Sequence, residues 1–448
     1  MHFAPGVDPR ILVDSTYKLR NTGTRPISSM QLRLPGRLFQ IASNGAAWDG
    51  TSLAAQNSEV NPRETLLVLP QSWNAGQTHT LQLSAELTSP MAGSSGMRFS
   101  SDAFFLPSEG WVPELLPAPG LFGLGGVPPN QWRLSVTVPA DFLVHASGGS
   151  TKGPRSHGET TFVFLQRAAD RYPFVVAGRY RESALAAGSR KVFLWTRSLE
   201  NSGALQQFAD QLARAMQTYD ATFGAPFSNS QPYWIVECPA VPGCFTTSES
   251  SYASFLGAEP GSVTSGLASL DTLLLDLTAG PPVFAAAAPG LAASWLGYGE
   301  NPGYYDRQPP LTALPAFASA LGKDAIAGPS SRVETIRRAL RAIPRNASNA
   351  KTEDPTILRA KSFLFFYALQ DRFGQEPFRR AINHVLSARR GRGFKLDDLI
   401  AAFDEETHED TAAFVRLWIK HPGVPEDFRA RYEDASASDA AIFKETSP

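Results

Sequence analysis

Apolar and polar residues alternate with a period of two along the first part of the chain. Ile11-Leu12-Val13-Asp14-Ser15-Thr16-Tyr17-Lys18-Leu19 sets the pattern, and Asn21-Thr22-Gly23 then turns the chain. Met30-Gln31-Leu32-Arg33-Leu34, residues 78–84 and residues 133–139 repeat it, with Gly, Pro, Asn and Ser in between. Short alternating runs broken by turn formers predict a β-sandwich-like domain over residues 1–185.

From about residue 190 the period changes. Val192-Phe193-Leu194-Trp195 reads as a strand, and residues 204–223 carry helical spacing through Leu205, Phe208, Leu212, Met216 and Tyr219. Strands follow at 233–237 and 271–276, then helices at 333–342, 355–373, 376–389, 396–403 and 408–420. Strands first and helices after them predict an α+β arrangement, with a second domain over 186–430. Pro422-Gly423 stops the last helix, and residues 431–448, rich in Asp, Ala and Ser, read as a frayed tail.

Composition narrows the function classes. A chain of 448 residues with a formal net charge of -1 gives no global attraction to nucleic acid or to an anionic membrane. No apolar run is long enough to span a bilayer directly, since the best candidate, residues 283–295, is short and broken by Pro289-Gly290. The first residues lack the basic and apolar regions of a signal peptide. Cys238 and Cys244 are spaced for a local bridge in an oxidising compartment or are inert thiols. Together with the turn-rich β domain, that possible bridge sets the expectation of an extracytoplasmic location.

One segment carries the functional argument: Ala285-Ala286-Ala287-Ala288-Pro289-Gly290-Leu291-Ala292-Ala293-Ser294-Trp295-Leu296-Gly297. With Gly110-Trp111-Val112-Pro113, Ser147-Gly148-Gly149 and Tyr172-Pro173-Phe174 upstream, and Trp418-Ile419, Pro422-Gly423 and Pro425 downstream, it resembles the membrane alanyl aminopeptidase family of zinc peptidases. That family has a thermolysin-like peptidase domain behind an N-terminal β domain. Its zinc helix reads H-E-x-x-H ahead of W-x-G. Set on Trp295 and Gly297, the histidine ligands fall on Pro289 and Ala293, and the general-base glutamate falls on Gly290. The third-ligand glutamate falls on Thr312. The glutamate that holds a substrate's amino group falls on Thr246, and the catalytic tyrosine falls on Arg359, with Lys361 kept beside it.

The resemblance therefore implies the frame of a zinc aminopeptidase without its chemistry. Zinc needs imidazole, carboxylate or thiolate donors, and Pro289 and Ala293 have none. No other catalytic set or metal cofactor emerges from the sequence. None of the seven histidines lies near the segment; His408 sits among acids that suit a solvated helix start. Gly-Leu-Gly-Gly at 123–126 lacks the strand–turn–helix setting of a nucleotide loop.

Pro and Gly cost about 3 and about 1 kcal/mol inside a helix relative to Ala, so the segment predicts a helix starting at Pro289. The run from Arg332 to Lys395 is basic and the following stretch acidic, which reads as two faces balancing each other. The sharper alternative places Arg359 and Lys361 in the old cleft as an anion site. The expectation is a catalytically silent aminopeptidase-like protein that binds a peptide or protein through the remnant cleft, with Thr246, Thr312, Arg359 and Lys361 as its candidate contacts. An active metallopeptidase with displaced ligands and a structural subunit of a larger assembly are the alternatives.

Overall fold

The computed structural model describes residues 1–33, 39–53, 55–57, 64–88, 98–108, 111–112, 114–115, 131–166, 173–197, 202–226, 232–239, 265–269, 271–275, 277, 284–296, 309–345, 354–389 and 394–433. The chain forms two compact units. One comprises Met1–Arg181 with Cys238–Cys244, the other Glu182–Glu237 with Phe245–Pro448.

The first unit is built of strands. Its large sheet has the order β14 (Gly149–Ser156), β15 (Glu159–Gln166), β12 (Trp132–Pro139), β1 (His2–Ala4), β2 (Arg10–Arg20), β8 (Thr78–Thr88), β4 (Phe39–Trp48), β5 (Thr51–Ser52). A second sheet runs β13 (Leu143–Ala146), β16 (Val175–Gly178), β10 (Ala103–Leu106), β9 (Arg98–Phe99). A third runs β11 (Glu114–Leu115), β3 (Ile27–Arg33), β7 (Glu64–Trp73), β6 (Ala55–Asn57).

The period-two pattern explains how these sheets stack. β2 and β8 pair antiparallel along their whole length, from Arg10 opposite Thr88 to Arg20 opposite Thr78. Their odd-numbered residues face inward. Ile11, Val13, Ala85 and Leu87 join Phe104, Val136, Phe164 and Val175 in one core. Leu81 and Leu83 join Leu32, Trp48, Leu67 and Trp73 in a second, against which Tyr17 and Leu19 pack. A slip of one residue would turn every one of these side chains to the solvent face, so burial fixes the register. The indole of Trp111 donates to Pro173 O at 3.0 Å, tying together two of the segments that carry the family resemblance.

The second unit has a five-stranded sheet in the order β17 (Arg181–Ala187), β18 (Arg190–Thr196), β19 (Tyr233–Glu237), β21 (Thr272–Leu275), β20 (Ser265–Ser269). β18, β19 and β21 run parallel, and β20 returns antiparallel at the edge. Helix α1 (Ser202–Phe223) links β18 to β19. Eight further helices follow among the described residues: α2 (Phe284–Leu296), α3 (Leu314–Ala327), α4 (Pro329–Arg341), α5 (Pro355–Phe373), α6 (Gln375–Ala388), α7 (Leu396–Thr407), α8 (Thr411–Lys420) and α9 (Glu426–Glu433). None of them is long and apolar enough to cross a membrane.

α5 is the hub. It is buried almost continuously from Ile357 to Gln370, which is how a helix apolar on all sides behaves. Its N-terminus is set by Asp354, whose side chain accepts from Thr356 N at 2.7 Å, with Pro355 in the first turn. Phe317 of α3 packs its ring on Phe366, Tyr367 and Phe378 at 5.0–5.5 Å.

Three elements differ from the sequence expectation. α2 begins at Phe284, five residues before Pro289. The alanines at 285–288 are the best helix formers available, and the proline removes a single bond, the one its nitrogen would have made to Ala285 O. His408 closes α7 in the left-handed region (φ 58°) instead of opening α8, whose N-cap is Asp410. α9 carries the fold through Glu433, with Tyr432 buried, into the range read as a frayed tail; residues 434–448 lie outside the described residues.

Candidate functional site

The alanine-rich segment ending in Trp295 forms α2, packed against α1, α3 and β20. Its frame residues are held firmly. The Trp295 indole donates to Asp220 Oδ1 at 3.1 Å, and Arg190 Nη2 donates to the same oxygen at 2.7 Å. The Arg190 guanidinium lies 5.3 Å above the Trp295 ring, and Tyr219 packs against that ring at 5.4 Å. At the preceding residue, Tyr233 and Ser294 share a 2.7 Å hydrogen bond, and Ser294 Oγ donates one turn back to Gly290 O at 3.3 Å. Burial pushes the Tyr233 hydroxyl well above its usual range, so the phenol stays protonated. Along this helix Gly290 and Ala293 are buried and Pro289 is half-buried.

The other candidate residues part company. Thr246 lies outside the described residues, as do Cys244 and the glycine-rich run at 123–126. Thr312 is half-buried in the single helical turn Leu311–Ala313, which packs against α5. Arg359 is half-buried in the second turn of α5, where Nη2 reaches Thr356 Oγ1 at 3.5 Å and Nε is enclosed without a partner. Lys361 is buried and turned to another task. Its ammonium donates to Ile419 O at 3.0 Å and to His421 O, closing the end of α8, while the Trp418 indole donates back to Lys361 O at 3.3 Å. Burial lowers the Lys361 amine to about 8.

The basic run is largely spent on acids. Arg332 pairs with Asp371, Arg338 and Arg341 with Glu334, Arg345 with Glu433, Arg372 with Glu409, Arg379 with Glu376, Arg380 with Glu406 and Arg389 with Asp398. Arg337 donates to Tyr432 O at 2.7 Å. The acids around His408 are likewise distributed: Glu405 faces His384, Glu406 Arg380, Glu409 Arg372 and Asp410 Arg416.

A buried polar centre escaped the sequence reading. Tyr367 donates to Asp324 Oδ2 at 3.2 Å, Tyr432 donates to Asp371 Oδ2 at 2.6 Å, and the Arg332 guanidinium lies 5.0 Å over the Tyr367 ring. Among the described residues Asp324 Oδ1 is enclosed without a geometric hydrogen-bond partner, and burial, outweighing the lowering pull of Ser331, Arg332 and Tyr367, raises its carboxyl to about 6. Only Asp324, near the end of α3, and Asp371, in the last turn of α5, could have signalled it, and in sequence they look like surface acids.

No protein-family model and no curated protein matches the chain by sequence. Solved structures do match by shape. A mutant M1 zinc metallopeptidase from Deinococcus radiodurans superposes with a TM-score of 0.61 at 16% identity, over 95% of this chain and 94% of that one. The fold is that of the M1 zinc metallopeptidases. The Deinococcus radiodurans protein bound to a Tyr-Ser-Ala substrate gives a TM-score of 0.57 at 16% identity, over 95% and 93% of the two chains. Aminopeptidase A of Legionella pneumophila, in complex with aspartic acid, gives 0.57 at 11% identity; it matches 93% of this chain, which spans 48% of that longer one.

The M1 fold implies zinc, and the side chains at the positions the sequence resemblance assigns to its ligands are not zinc donors. Pro289, Gly290 and Ala293 offer no donor atom beyond the backbone, and Thr312 offers a neutral hydroxyl. Among the described residues no group of three or more His, Cys, Asp or Glu side chains is placed to hold a metal ion. The M1 frame residue Trp295 is meanwhile locked by three partners.

Proposed function

We propose that this protein binds peptides on an M1 peptidase frame without hydrolysing them. The observation that carries the reading is α2 itself: the helix is built and anchored through Trp295, yet it presents Pro289, Gly290 and Ala293 where the resemblance calls for two ligands and a base. Peptide hydrolysis in such a frame needs a metal-activated water and a group to take its proton. Neither requirement is met by proline, glycine or alanine. A short peptide as ligand is supported by the Deinococcus radiodurans neighbour, which was solved with Tyr-Ser-Ala. Cys238 is disulfide-bonded, which supports residence in an oxidising compartment.

The test is zinc content after incubation with zinc and desalting, read beside release of amino acids from alanyl, tyrosyl and aspartyl peptides. The expected result is less than about a tenth of an equivalent of zinc, with no release above that of buffer. Near-stoichiometric zinc with turnover would make the protein an active peptidase with displaced ligands. Absence of both zinc and any peptide binding would leave a structural subunit.

A further inference from the structure

We propose that Arg359 is the recognition point for a carboxylate of the bound peptide, an inference that rests on the peptide-binding reading above. Charge pairing in the second unit sets this residue apart. The chain holds ten arginines from Arg332 to Arg389. Nine of them are engaged: eight pair with carboxylates and Arg337 holds a backbone carbonyl. Lys361, next to it in the run, is committed to Ile419 O and His421 O. Arg359 alone among these has no carboxylate or carbonyl partner among the described residues. Its one hydrogen bond among the described residues is to the Thr356 hydroxyl at 3.5 Å, the outer limit of such a bond.

A half-buried guanidinium left this way is an expensive arrangement. It has lost part of its hydration and gained no counter-charge among the described residues. The other arginines in the run show that this chain readily supplies acids where a cation needs one. With Nε enclosed, the guanidinium is left to be approached through its two Nη nitrogens. That planar pair matches the two oxygens of a carboxylate, and the rigid guanidinium fork loses little freedom per hydrogen bond formed. The turn Leu311–Ala313, which bears the half-buried Thr312, packs against the same helix. The ligand class is therefore a peptide with a carboxylate to offer, either its C-terminus or an acidic side chain.

The experiment is fluorescence anisotropy with the full chain and three probes, each carrying a neutral coumarin dye. They are tetra-alanine as the free acid, tetra-alanine amide, and an amide with glutamate replacing one alanine. At least one carboxylate-bearing probe is expected to bind at least tenfold tighter than tetra-alanine amide. The probe that does so distinguishes a C-terminal from a side-chain carboxylate. Arg359→Ala is expected to erase that preference and Arg359→Lys to keep part of it, both with unchanged thermal midpoints. If all three probes bind equally and Arg359→Ala changes nothing, the inference fails while the peptide-binding reading stands. If no probe binds the wild-type chain, that reading fails and takes the inference with it. Should Arg359→Ala unfold, loss of the acid preference in a folded Arg359→Gln variant decides the point.

Discussion

At the scale of single residues, Asp324 makes the clearest pH prediction. Its carboxyl is raised by burial to about 6, above the usual carboxylate value. The folded state therefore holds its proton more tightly than the unfolded one, and stability is full below about pH 4. It falls as pH rises through about 6, where the folded carboxyl must ionise beside an enclosed, unpaired oxygen. Asp324→Asn removes that ionisation and can still accept from Tyr367. Urea midpoints of the two proteins should coincide near pH 4 and separate by pH 7 in favour of the asparagine. A gap of the same size at both pH values would mean the charge is not its cause. Lys361 is the second such residue. Lys361→Met strips the carbonyls of Ile419 and His421 of their donor, a loss of about 1–3 kcal/mol. Its urea midpoint should fall with the slope unchanged, and no fall would show that α8 ends without needing that donor.

At the scale of elements, legibility followed contrast. α1 and α5 were bounded closely by their spacing because each alternates large apolar residues with something else, or is apolar throughout. The M1 frame was readable from Trp295 and its neighbours because packing residues leave a pattern when chemistry does not. α3 was not identified as a helix, since Ala316, Ala318, Ala320 and Gly322 are too small to show a face. α9 was missed for the opposite reason: it is mostly charged, and only Phe428 and Tyr432 announce a buried side. The start of α2 is hard to see in the sequence because its proline masks the four alanines before it, which are the best helix formers. That proline yields a test. Pro289→Ala restores the bond to Ala285 O; that bond alone is worth about 1 kcal/mol, a rise of roughly 2–4 °C in a unit of this size. A thermal melt that falls instead would show that the half-buried ring is packed to advantage.

At the scale of the whole molecule, the second unit depends on the last of its described helices. α9 buries Phe428 and Tyr432, and Arg429 donates to Ile343 O at 2.9 Å across 86 residues of sequence. Arg345 pairs with Glu433 from the far side. Burying two large aromatic side chains contributes about 1.5–3 kcal/mol each. A chain ending after Val424 should therefore melt at least about 5 °C lower, and an unchanged calorimetric midpoint would put α9 outside the cooperative core.

The first unit has a different kind of cohesion. β2 and β8 place one continuous row of odd-numbered residues under two separate cores, as a joist carries two rooms. Neither core can loosen its floor without disturbing the other, because both ends share the same hydrogen-bonded ladder. Amide protons at the Ile11 end and at the Leu19 end of β2 accordingly exchange through one common opening, and a cavity cut at Leu87 is felt as lost protection around Leu81.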